Sequence, residues 1–186
     1  FTAAEALSAK VLSGDKDATK RYLTFISSGG SDYPVNLLKA AGVDFAELQL
    51  GARGLFWNEY RPTDAACRIW HWRDGVAKCL TPTGFSVRSR VYEYGGGAFC
   101  LTPDGVVFVN EADQQLYRQT LDGEPEALTF GDCRYGDLHF ANGQVLAVEE
   151  NGDHHRLVAI DLANGDRHTL VEGADFYASP IISPDG

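Results

Sequence analysis

Short runs of β-branched and aromatic residues alternate with tight-turn pairs along most of this chain, and that punctuation commits it to an antiparallel meander. Asp74-Gly75, Asp104-Gly105, Asp122-Gly123, Asn142-Gly143 and Asn164-Gly165 stand between the runs, and such pairs supply the left-handed backbone that two-residue hairpins need. The runs themselves are 55–60, 68–72, 76–80, 98–101, 106–110, 115–119, 127–129, 138–140, 145–149, 156–160 and 168–171. Their lengths and spacing are those of an all-β domain.

The meander repeats. Arg68-Ile69-Trp70-His71-Trp72 leads through Asp74-Gly75 to Cys79-Leu80-Thr81, Gln115-Leu116-Tyr117-Arg118-Gln119 leads through Asp122-Gly123 to Ala127-Leu128-Thr129, and Arg156-Leu157-Val158-Ala159-Ile160 leads through Asn164-Gly165 to Thr169-Leu170-Val171. A matching hairpin precedes the second and third copies. The unit is therefore four strands in roughly 40 residues, the length of a β-propeller blade. Residues 179–186 read as the first strand of a fourth blade. A ring needs about four or more blades to close, so the expected fold is mainly β: a partial β-propeller over residues 46–186, about three four-stranded antiparallel blades, preceded by a short α-helical segment.

That segment, residues 1–45, has a different grammar. Ala3 to Leu12 is rich in helix formers, Ser13-Gly14-Asp15 is a stop, and Tyr22, Leu23, Phe25 and Ile26 fall toward one side of a second helix. Ser31-Asp32 can cap a third helix with Pro34 in its first turn, closed by Gly42. Helices this short bury little by themselves.

The formal net charge of −10, with no Lys/Arg cluster, argues against nucleic acid as a partner. No apolar run approaches the roughly 20 residues that span a bilayer, and the first residues lack a secretory pattern, so no membrane partner is expected. Cys67, Cys79, Cys100 and Cys133 stand far apart, without Cys-x-x-Cys or zinc-finger spacing, and neither a metal nor another cofactor is expected. Cys79 and Cys100 lie in apolar runs and act there as small hydrophobes. A reduced, cytoplasmic setting is the simpler account, although an even count also permits disulfides.

The densest chemistry lies in Val87-Arg88-Ser89-Arg90-Val91-Tyr92-Glu93-Tyr94-Gly95-Gly96-Gly97. Three adjacent glycines suit a tight bend or a close approach of backbone to another surface. Arg88, Arg90, Glu93 and Tyr94 are the candidate substrate-binding residues, since an arginine forks onto a carboxylate and a glutamate receives an amine. The same residues also fit a structural turn braced by internal Arg–Glu pairs. His71, His139 and His168 sit in or beside strands and read as structural. Glu149-Glu150-Asn151-Gly152-Asp153 lacks calcium-loop spacing and reads as a solvated hairpin turn. Trp57, Trp70 and Trp72 are expected to fill the spaces between blades. No Gly-x-Ser-x-Gly elbow occurs in the sequence, so no catalytic residue is assigned.

Several segments together carry a family resemblance. They are Leu55-Phe56-Trp57-Asn58-Glu59-Tyr60-Arg61-Pro62, Leu80-Thr81-Pro82, the Val87 to Gly97 stretch, Phe108-Val109-Asn110 with Asp113-Gln114-Gln115-Leu116-Tyr117-Arg118, and Asp175-Phe176-Tyr177-Ala178-Ser179-Pro180 running into Ser183-Pro184-Asp185-Gly186. Over about residues 47–186 the chain resembles the N-terminal propeller of the prolyl oligopeptidase family of serine peptidases, in its acylaminoacyl-peptidase-like and dipeptidyl-peptidase-like branch. The resemblance implies a non-catalytic propeller that covers the active site of an α/β-hydrolase domain absent from these residues, admits short peptides and excludes folded proteins. The competing expectation is a stand-alone binding module whose open blade edges are completed by self-association or by a partner.

Residues 22–25, 28–35 and 37–44 resemble instead the C-terminal helices of oligoendopeptidase F type zinc metallopeptidases. In that family a His-Glu-x-x-His helix holds the metal; here His154 and His155 are adjacent and cannot share a helical face at four-residue spacing. The two resemblances together imply a join of two peptidase fragments, and the alternative is that residues 1–45 are native helices packed on the propeller.

Overall fold

The computed structural model of the chain describes residues 43–183. Residues 45–183 belong to the unit Phe45–Gly186, one of two into which the chain divides. The helices expected up to residue 42 lie outside the described residues, as does the end of the expected fourth-blade strand at 184–186.

Twelve strands form three sheets of four. β1 (Asp44–Gly51), β2 (Gly54–Arg61), β3 (Ala66–Arg73) and β4 (Val76–Cys79) make the first; β5 (Phe99–Leu101), β6 (Gly105–Val109), β7 (Leu116–Thr120) and β8 (Glu126–Ala127) the second; β9 (Arg134–Ala141), β10 (Gln144–Asn151), β11 (His154–Asp161) and β12 (Arg167–Glu172) the third. In each sheet the strands lie side by side in chain order, so each is an antiparallel meander, a blade of a partial propeller. Every expected run falls on one of β2 to β12. β1 is additional, and it begins inside the segment read as helical. Its residues Ala46, Glu47, Leu48 and Gln49 are good helix formers, and Glu47 takes a left-handed φ of 53°, which breaks the alternation by which a strand is recognised.

Two of the turn pairs close as two-residue hairpins with both central φ values positive: Asp74 and Gly75 at 52° and 85°, Asn142 and Gly143 at 51° and 80°. This is the primed turn whose twist matches the strands it joins.

The second sheet is covered on both faces. All five residues of β6 are buried; Val106 and Phe108 enter a core with Phe56, Ile69 and Val87, whereas Val107 and Val109 enter another with Tyr135, Val145 and Ile160. Strand alternation sends successive side chains to opposite faces, so a continuous apolar run is what a blade between two neighbours requires. Each such side chain contributes roughly 1.5–3 kcal/mol on burial.

The first strands of the blades approach one another. Gln49 Nε2 donates to Phe99 O at 2.9 Å, and the amides of Asp137 and Leu138 donate to Gly96 O and Gly97 O at 3.1 and 3.0 Å. The fourth strands lie outermost, and β12 is exposed along its whole length. Antiparallel order then sorts the loops. One end carries the turns at 52–53, 74–75 and 142–143; the other, the connection end, carries the loops at 62–65, 110–115 and 128–133, the crossing from β4 to β5, and the segment after β12.

Phe56 and Ile69 face the second sheet, so Trp57, Trp70 and Trp72 lie on the opposite face of the first. Trp57 and Trp70 are cross-strand partners, stacked at 6.3 Å. The tryptophans therefore do not separate the described blades, because the register of β2 and β3 gives the inner face to Phe56, Ile69 and His71. His71 is structural, stacked on Phe56 at 4.4 Å with a ring nitrogen 2.9 Å from Arg53 O. Cys79, Cys100 and Cys133 are unbridged thiols, and burial pushes Cys100 up to about 12.

Candidate functional site

The crossing from the first blade to the second organises the connection end. Val87 N donates to Cys67 O at 2.8 Å and Arg88 N to Val109 O at 3.1 Å, so the chain leaves one blade and joins the next within two residues. From Val87 to Val91 exposure alternates: Val87, Ser89 and Val91 are buried while Arg88 and Arg90 are exposed. Ser89 Oγ donates to Tyr135 O at 2.6 Å, which ties the crossing to the third blade as well.

A single 3₁₀ turn, Val91–Glu93, follows, and then the three glycines, with φ of 69°, 126° and 51°. A Cβ on Gly97 would stand 2.4 Å from Asp137 Cα, and one on Gly95 would stand 2.3 Å from Ser89 O. Both the bend and the close approach expected of the glycine run are present, and the surface approached is β9.

The four candidate residues share this end but have different partners. Arg88 Nη1 and Arg90 Nη2 converge on one oxygen, Glu111 Oε1, at 3.6 and 3.2 Å. The other oxygen accepts from Ser86 Oγ at 2.7 Å. Partial burial pushes the Glu111 carboxyl up, but the Ser86 hydroxyl and the two guanidiniums outweigh it and hold the group below the ordinary range. Gln114 fixes the backbone between the arginines, accepting from Arg90 N at 2.7 Å and donating to Arg88 O at 3.2 Å.

Glu93 pairs with Arg134 Nη1, whose hydrogen bond and charge, with that of Arg90, hold its carboxyl below the ordinary range. Arg134 also donates to Arg90 O at 3.2 Å and stands 3.9 Å from Glu150. The braces expected within the stretch thus come from outside it, from the β6–β7 loop and from β9. Tyr94 has no such engagement and is 95% exposed. The tyrosine built into the structure is Tyr92, whose amide donates to Glu150 Oε2 and whose hydroxyl accepts from Tyr177 N, both at 3.0 Å. Its ring meets His155 and Phe176 edge-on at 4.9 and 5.2 Å.

Glu111, Arg134, Glu150 and His155 were not legible as members of this site, being 14 to 58 residues beyond Gly97 and neighbours of the stretch only through the fold. A cavity of about 640 Å³ opens beside His155, lined also by Arg156, Glu172, Asp175 and Phe176 among others. Glu149 corrects the reading of its neighbourhood as a solvated turn. Only Asn151 to Asp153 are exposed there; Glu149 is fully buried, with Arg156 Nη1 at 3.2 Å and Arg167 Nη2 at 2.8 Å. It occupies the β10 position in phase with Val145 and Ala147, so alternation turns it inward. Among the described residues no three His, Cys, Asp or Glu side chains gather as a metal would require, and no helix is long and apolar enough to cross a membrane.

No protein-family model matches the chain. Among solved structures it superposes on a Mycobacterium tuberculosis puromycin-hydrolyzing peptidase with a TM-score of 0.71 and 33% identity, over 78% of this chain and 25% of that one. A puromycin hydrolase superposes with a TM-score of 0.67 and 27% identity, over 76% and 26%. The chain is thus similar to about a quarter of each peptidase, and the similar part is propeller-like. Among curated proteins, oligopeptidase PepF of Bacillus subtilis (strain 168) is 36% identical over 70 residues, 38% of this chain and 9% of PepF. Group B oligopeptidase PepB of Streptococcus agalactiae serotype III (strain NEM316) is 39% identical over 44 residues, 24% of this chain and 7% of PepB. The chain spans less than a tenth of either oligopeptidase, and neither structural neighbour supports the zinc-peptidase resemblance of its first residues.

Proposed function

We propose that this chain is the propeller portion of a serine peptidase of the prolyl oligopeptidase family, gating the access of short peptides to an α/β-hydrolase domain. The observation that carries the reading is the connection end: the Val87–Gly97 crossing presents Arg88, Arg90, Glu93 and Tyr94 to solvent while its backbone is locked to three blades at once. A peptide carries carboxylate, amine and carbonyl groups, and rigidly held charged side chains sort such ligands. The similarity to puromycin-hydrolyzing peptidases supports the peptidase association. Unbridged cysteines fit a reducing, cytoplasmic setting.

The test is a graft. Residues 43–183 replace the matching quarter of the Mycobacterium tuberculosis puromycin-hydrolyzing peptidase, and hydrolysis of a tripeptide amide is compared with that of a folded protein. Retained cleavage of the first with continued exclusion of the second supports gating. Equal attack on both contradicts it.

A second reading has an observation of its own. Phe45, Leu48, Leu50, Trp72 and Val76 of the first blade are exposed, and apolar patches of this kind mark association surfaces. On this reading the chain is a binding module that self-associates through that blade. Light scattering that gives a monodisperse monomer excludes it.

A further inference from the structure

We propose that Arg88 and Arg90 form a carboxylate-binding site, so that the connection end holds a peptide by a carboxylate and not by its amine. The proposal rests on reading that end as peptide-facing.

The two side chains stand two residues apart, reach the same Glu111 oxygen and remain 64% and 53% exposed. Both are directed at a single oxygen of a single carboxylate, and the other oxygen of Glu111 is taken by Ser86. Two guanidiniums therefore share a single Glu111 oxygen, and Arg90 acts on the Glu93 carboxylate as well. Like charges held this close repel unless another anion stands between them. Each guanidinium carries five N–H donors in a planar fork that matches a carboxylate. Arg90 gives one to Glu111, and Arg88 sits at 3.6 Å, beyond hydrogen-bond length. Most of the fork is open to a ligand.

The amine-binding alternative has less to work with. Glu93 is hydrogen-bonded to Arg134, which with Arg90 keeps its carboxyl ionised and already compensated. Glu150 accepts from Tyr92 N and faces the same Arg134. An incoming ammonium group must displace Arg134 from Glu93. An incoming carboxylate displaces nothing. Three connections at the same end also carry exposed aromatic rings, Tyr94, Phe130 and Phe176, suited to the apolar side chains that flank a peptide carboxylate. The carboxylate can be a C-terminus or an acidic side chain, since the fork recognises the group they share.

Isothermal titration calorimetry on the whole chain separates these cases with four probes: N-acetyl-dialanine, its C-terminal amide, N-acetyl-glutamyl-alanine amide, and dialanine amide, which carries only an amine. A charge-assisted pair lost with the carboxylate is expected to weaken binding about tenfold, and added salt is expected to erode the difference. Arg88→Gln with Arg90→Gln removes the preference, whereas Glu111→Gln, which takes away the internal counter-ion, widens it. The tighter of the two carboxylate probes assigns the source. Equal binding of N-acetyl-dialanine and its amide, or tighter binding of dialanine amide, overturns the carboxylate site and leaves the peptide-facing end standing. No binding by any of the four overturns both.

Discussion

Glu149 shows how a single residue ties together three strands of the third blade. Its carboxylate is fully buried and receives guanidiniums from β11 and β12. Removing one partner of a buried charge group leaves the others uncompensated, so Glu149→Gln should lower stability by about 3 kcal/mol, read from urea unfolding as a fall in midpoint at constant slope. Glu93 offers the contrasting case at the surface. Its folded carboxyl titrates below the unfolded range near ~4.3 because Arg134 bonds the ionised form. The native group thus binds its proton less readily than the unfolded one; its contribution is present above that range and is lost as pH falls through the folded value. Side-chain carboxyl NMR should show Glu93 titrating low in the parent chain and returning to the ordinary range in Arg134→Gln. Neither pairing was legible from composition: Arg134 stands 41 residues from Glu93, and only the fold makes them neighbours. The stretch that contains Glu93 was legible, because arginines beside a glycine run are anomalous in any sequence.

At the scale of elements the strands were readable wherever alternation and turn chemistry agreed, as at Asp74-Gly75 and Asn142-Gly143. β1 escaped because Glu47 breaks the period and its neighbours favour helix. The glycines allow a sharper test. Gly75 has φ of 85° and open space around a built Cβ, whereas Gly97 combines φ of 51° with a Cβ position 2.4 Å from Asp137 Cα. Gly75→Ala should cost only the left-handed penalty of about 1–2 kcal/mol. Gly97→Ala must add to that a backbone displacement between β5 and β9, and it should exceed roughly 4 kcal/mol, in the range reserved for severe disruption. Thermal unfolding of the two variants side by side checks the ordering; equal losses would mean that the crossing does not clamp β9.

At the scale of the molecule, three meanders packed face to face make the middle blade the structural centre. Phe108 belongs to the core shared with the first blade, and Phe108→Ala should cost about 3–5 kcal/mol; Leu170→Ala, on the exposed outer strand β12, should stay within about 0.5 kcal/mol. The repeat length predicted the blades, but the sequence carried no sign of which residues from separate blades would meet at the connection end. That convergence is a property of antiparallel order, which returns every second loop to one end. The central claim is that peptides are held there. Isotope-labelled whole chain, titrated with a ladder of peptides from dipeptide to decapeptide and then with a folded protein, tests it most directly. Saturable shifts at the amides of 88–94, Glu111, Arg134 and Tyr177, with none from the folded protein, are the predicted result; shifts confined to the opposite turns or to the exposed face of the first blade would contradict it.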